Sequence, residues 1–122
     1  MSNPHPPRPH EPLVDIPAQE GLAEALDPGE FAALVDAYLA DLDASIGKVA
    51  AAVAAGACPA IASTAHAVKG AAANLGFVRL SADAARIESM AKAGQADVTA
   101  LLEILRRTAA QTVAAVRARR PS

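Results

Sequence analysis

His66, Lys69 and Gly70 bring a nucleophile, a cation and a missing side chain together within five residues. A neutral imidazole keeps one ring nitrogen with a free lone pair, so an exposed histidine is a nucleophile without help from a base. In a helix a lysine three residues later lies on the same face, bringing a cation within reach of anything anionic attached to the ring. Gly70 is the most informative of the three. A glycine inside a helix costs about 1 kcal/mol relative to alanine, and this chain uses alanine freely elsewhere. Helical side chains lean back over the preceding turn, so any side chain at position 70 would lie toward the imidazole. Its absence leaves a clearing, and Ala62 and Ala73 on the same face are small enough to extend it. The group reads as an exposed nucleophile beside a cation, with room for another molecule to approach.

That reading requires a helix, and the surrounding stretch supplies one. At about 100° per residue, Ile61, Ala65, Val68, Ala72 and Leu75 form a continuous apolar stripe that must face a core. His66 lies nearly opposite it and therefore points to solvent. Cys58-Pro59 opens this helix, because proline fits a first turn. Asn74-Leu75-Gly76 closes it, because Gly76 can adopt the left-handed conformation that ends helices.

The run His66-x-x-Lys69-Gly70-Ala71-Ala72, followed by Leu75-Gly76 and later by Ile87-Glu88, resembles the signature of the histidine-containing phosphotransfer (HPt) domains of bacterial phosphorelays. The similarity extends over about residues 31–116, so it covers the helical part of the chain. The resemblance implies an all-α fold, an antiparallel four-helix bundle whose exposed histidine accepts a phosphoryl group from an aspartate of one receiver domain and passes it to another. Family members often carry serine where this chain has Ala71, a departure that concerns a secondary contact and leaves the nucleophile intact.

The remaining elements suit such a bundle. Residues 1–18 hold six of the nine prolines and almost no periodicity, which predicts a flexible, disordered Pro-rich tail. His5 and His10 lie in it, and a tail of this composition does not hold them together as metal ligands. A short extra N-terminal helix is expected over 19–26, with Leu22 and Leu26 one turn apart to cap the end of the bundle. Asp27-Pro28-Gly29-Glu30 is a helix start with a capping residue, a first-turn proline and a Glu that reaches back. Phe31, Leu34, Val35, Tyr38, Leu42, Ile46, Val49 and Val53 then hold helical spacing to Gly56, roughly 40 Å of helix at 1.5 Å per residue. Gly47 marks either a kink or a close helix contact within it. A further helix is expected from Val78, or from Ser81 as its cap, to Ala93, ending at Gly94, with Leu80, Ala84, Ile87 and Ala91 inward and Arg79, Arg86 and Lys92 outward. Asp97 opens the last, whose stripe is Val98, Leu101, Leu102, Leu105, Thr108, Ala109, Thr112 and Val116. Four amphipathic helices joined by short loops pack naturally as an up-down bundle, here a domain over 19–119.

Composition narrows the function. A formal net charge of -2 argues against nucleic acid as a main partner. Nine of the thirteen acids precede Lys48 and five arginines follow Glu103. Arg106, Arg107, Arg117, Arg119 and Arg120 need no polyanion, because cations are favoured near a helix carboxyl end. No stretch has the apolar length of a transmembrane helix, the amino terminus lacks a signal peptide's basic start and apolar middle, and one cysteine, Cys58, forms no internal disulfide. A cytoplasmic monomer is expected.

Phosphoryl transfer asks mostly for positioning and charge stabilisation. The chain has no glycine-rich phosphate loop and no clustered carboxylates for Mg²⁺, so no metal or other cofactor is expected on it. By resemblance the receiver carries the Mg²⁺ and most of the catalytic groups, and the chain is a phosphocarrier more than an enzyme. Its expected partners are response-regulator receiver domains and a hybrid histidine kinase. His66 supplies the nucleophile, Lys69 offsets phosphate charge, and Ala62, Gly70 and Ala73 let the partner dock. A hydrolase pairing His66 with Cys58 fails on distance, since the two are about 12 Å apart along one helix. The alternative is a non-transferring helical adaptor that binds a receiver or kinase domain.

Overall fold

The computed structural model describes residues 28–118. They form four helices: α1 (Pro28–Ala54), α2 (Cys58–Asn74), α3 (Val78–Lys92) and α4 (Thr99–Ala118). No strand occurs among the described residues. The expected tail over 1–18, the helix over 19–26 and the Asp27 cap lie outside them, as do Arg119 and Arg120.

The connections are short because glycine ends each of the first three helices in the left-handed region, Gly56 at φ 64°, Gly76 at φ 76° and Gly94 at φ 83°. At Gly76 the turn also satisfies the helix's last carbonyls: the Gly76 N–H donates to Ala73 O at 3.1 Å and the Phe77 N–H to Ala72 O at 2.9 Å. The predicted close of α2 stands at its residue. α3 starts at Val78, so Ser81 is not its cap; the Ser81 hydroxyl instead donates to the Lys69 carbonyl at 3.1 Å, tying α3 to α2.

Each helix packs on two others, in the order α1, α2, α3, α4 and back to α1. The pair α2 and α3 is the most intimate and the pair α1 and α4 the loosest. Alanines explain the first: Ala65 and Ala72 on α2 and Ala84 on α3 are fully buried, and side chains this small let two helix axes approach closely. Ile61, Val68, Leu80, Ile87 and Leu105 fill the centre, with Phe77 from the α2–α3 connection as its largest piece.

In α1 one expectation needs correction and one choice is narrowed. Leu34 is 43% exposed, whereas Phe31, Tyr38 and Val53 are half-buried and pack against the core as their spacing requires. The buried residues Val35, Leu42, Ile46 and Val49 recur at steps of 7, 4 and 3, a narrow seam, and Leu34 lies a full 100° from Val35, on the seam's edge. Gly47 is exposed within an unbroken helix, and a Cβ added there would meet nothing within 4 Å. It is therefore not a close helix contact.

α3 carries two buried carboxylates that hydropathy does not predict, Asp83 and Glu88. Burial pushes the Asp83 carboxyl up, against a hydrogen bond from Thr108 and the charges of Arg86 and Arg79. Its Oδ2 has no hydrogen-bond partner.

Candidate functional site

The stripe Ile61, Ala65, Val68 and Ala72 is buried as the spacing requires, and this fixes the rotation of α2. His66 is consequently turned outward, with 65% of its side chain exposed. Its ring is nevertheless held. Nδ1 lies 2.9 Å from Oε2 of Glu88, which reaches across from α3 and is only 5% exposed.

Glu88 is the hub of the site. Lys69 Nζ lies 2.6 Å from its Oε1, and Lys92 Nζ, one turn along α3, lies 2.9 Å from its Oε2. Burial alone would raise this carboxyl's pKa, but the hydrogen bonds from Lys69, Lys92 and His66 outweigh it and hold the pKa at about 2. Glu88 is thus an anion at neutral pH, and an ionised carboxylate only accepts hydrogen bonds. The contact with His66 must then be Nδ1–H donating to Oε2. This assignment places the lone pair of a neutral ring on Nε2.

Lys69 is 34% exposed and engaged on Glu88. Its expected place is a neighbour of the ring; the structure puts both on the same carboxylate. Gly70 is partly exposed, and a Cβ there would meet nothing within 4 Å. No helix packs against it, so close packing does not account for the glycine. Ala73 is exposed, whereas Ala62 is half-buried and leans on the core. Cys58 begins α2 half-buried. No group of three or more His, Cys, Asp or Glu residues able to hold a metal occurs among the described residues.

Sequence reasoning assigned no role to Glu88, although the signal was present. Its neighbours at i−4 and i+3, Ala84 and Ala91, belong to the inward face of α3. An acid placed among them must find a cationic partner or stay neutral. The sequence shows Lys92 only as an outward charge, which it is, at 66% exposed, while its ammonium returns to Glu88.

Comparison with known proteins agrees with this geometry. The family model described as the Hpt domain matches residues 33–118. The crystal structure of histidine-containing phosphotransfer protein B (HptB) from Pseudomonas aeruginosa PAO1 superposes with a TM-score of 0.78 at 30% sequence identity, covering 81% of this chain and 86% of that one. No curated protein sequence matches the chain. No helix among the described residues is long and apolar enough to cross a membrane. By its sequence match, its helical architecture and its exposed histidine, the chain belongs to the Hpt domain family.

Proposed function

We propose that this protein is a phosphorelay intermediate: His66 accepts a phosphoryl group from the aspartate of one receiver domain and passes it to another. The observation that carries the reading is the exposed ring whose Nδ1 is tied to a buried, ionised carboxylate. Nε2 attacks phosphorus, the bond from phosphorus to the aspartyl oxygen breaks, and the aspartate leaves as carboxylate with the electron pair. Nδ1 keeps its proton, and the positive charge that develops on the ring is met by Glu88. Because the new phosphorus–nitrogen bond remains high in energy, the reverse sequence delivers the group to a second receiver.

Lys69 supplies a cation for the phosphoryl group. Gly70, Ala73 and the exposed edge of Ala62 form the floor on which the receiver docks. The Mg²⁺ belongs to the receiver, and the chain acts as a cytoplasmic monomer, an antiparallel up-down bundle charged through a hybrid histidine kinase. The test is incubation with a phosphorylated receiver domain, followed by a search for acid-labile, alkali-stable phosphate on the protein. Label that requires His66 supports transfer. A wild-type protein that binds receivers yet stays unlabelled across a panel of them is an adaptor instead.

A further inference from the structure

Glu88 has two oxygens and accepts from His66, Lys69 and Lys92, and the way these are shared is asymmetric. Lys69 alone holds Oε1, while His66 and Lys92 share Oε2. Turning toward a phosphoryl group on His66 draws the Lys69 ammonium away from Oε1. A carboxylate this deeply buried is costly to leave without a cation. Lys92 can stay, because it approaches from α3, the helix of Glu88 itself, at the i+4 spacing that suits a Glu followed by a Lys.

We propose that Lys92 is a positioning residue for phosphoryl transfer: it remains on Glu88 Oε2 while Lys69 leaves Oε1 for the incoming phosphoryl group, so the buried carboxylate keeps a cation throughout. This rests on the function proposed above. The charges fit the exchange. At rest two ammonium groups face one carboxylate, an excess of positive charge that favours an arriving anion. After transfer the phosphoryl dianion and Glu88 are matched by Lys69, Lys92 and the phosphorylated imidazolium. Lys92 acts only through Glu88, and its effect depends on that carboxylate's charge.

The test uses phosphoramidate, a small phosphoryl donor that removes receiver docking from the measurement. In the reaction the phosphorus–nitrogen bond of the donor breaks, ammonia leaves, and the bond from phosphorus to Nε2 forms. Lys92→Met should slow the labelling of His66 about tenfold, the factor that corresponds to 1.4 kcal/mol, with helicity unchanged. Lys92→Arg, which keeps the charge, should restore the rate to within about twofold on the same scale. In a Glu88→Gln background there is no carboxylate charge to hold, and Lys92→Met should change the rate little. Equal slowing by Lys92→Met in both backgrounds would show that Lys92 acts on the phosphoryl group directly and overturn the proposal, as would a Lys92→Met rate equal to wild type. If Glu88→Gln does not fold, the contrast between Lys92→Met and Lys92→Arg decides, and slowing by both overturns it. Failure to label wild-type His66 with either phosphoramidate or phosphorylated receivers would remove the proposed function and this inference together, whereas normal labelling indifferent to Lys92 removes this inference alone.

Discussion

His66 Nδ1 stands 2.9 Å from Glu88 Oε2, so a solvent-facing ring on α2 is anchored to one of the two buried carboxylates of α3. Exposure lets a partner reach the ring, and the anchor decides which nitrogen is offered. The relation depends on the close fit of α2 on α3, which the buried alanines of both helices permit.

The clearing at Gly70 separates stability from function. Because a Cβ there meets nothing within 4 Å, Gly70→Leu should fold and gain up to about 1 kcal/mol from helix propensity. The same side chain would cover the approach to His66. Transfer from a phosphorylated receiver should fall by at least about tenfold, the equivalent of 1.4 kcal/mol of lost transition-state contact. Melting and receiver-to-protein transfer measured on one preparation check both halves; unimpaired transfer would mean that the clearing serves no partner.

Glu88 should contribute to acid stability. Its carboxyl, held at about 2 in the folded protein against an ordinary value of 4.5, stabilises the fold at pH values above the unfolded pKa, and the contribution is lost as pH falls from about 4.5 through about 2. The full effect is on the order of 3 kcal/mol. Denaturant unfolding of wild type and Glu88→Gln at pH 7, 4 and 2 should show a gap that closes across that window. A gap independent of pH would mean that the carboxylate is not held by charge.

Asp83 should behave with the opposite sign. Burial raises its carboxyl pKa in the folded state, so ionisation works against folding, and stability is lost as pH rises from the unfolded pKa through the folded one. Asp83→Asn keeps a hydrogen-bonding group opposite Thr108 and removes the buried charge. It should raise the melting temperature at pH 7, with the advantage disappearing below about pH 4, where the unfolded carboxyl is also protonated. Melting curves at the two pH values test this; an asparagine variant less stable at pH 7 would mean that Arg79 and Arg86 more than compensate the buried charge.

Much of the fold was legible because its helices announce their ends. Gly56, Gly76 and Gly94 mark the three closures in the sequence and take positive φ in the structure, and the apolar stripe of α2 alone sets the outward direction of His66. The edge of α1 was less legible, since Leu34 and Val35 are equally apolar and only the packing of neighbouring helices chooses between them. The exposure of His66 could be read from one helix. Its anchor could not, because the His66–Glu88 contact joins residues 22 apart on different helices, and periodicity within a helix carries no register between helices. What α3 did offer was an acid on its inward face, a demand for a partner without the partner's name.

In the proposed transfer the anchored ring offers Nε2 to phosphorus. After incubation with a phosphorylated receiver, long-range proton–nitrogen NMR of the His66 ring with phosphorus coupling identifies the substituted nitrogen. The phosphoryl group should sit on Nε2 of His66 with a proton retained on Nδ1, with no phosphate on His66→Gln and little change in that variant's melting. Phosphate on Nδ1, or on another residue of the protein, would contradict it.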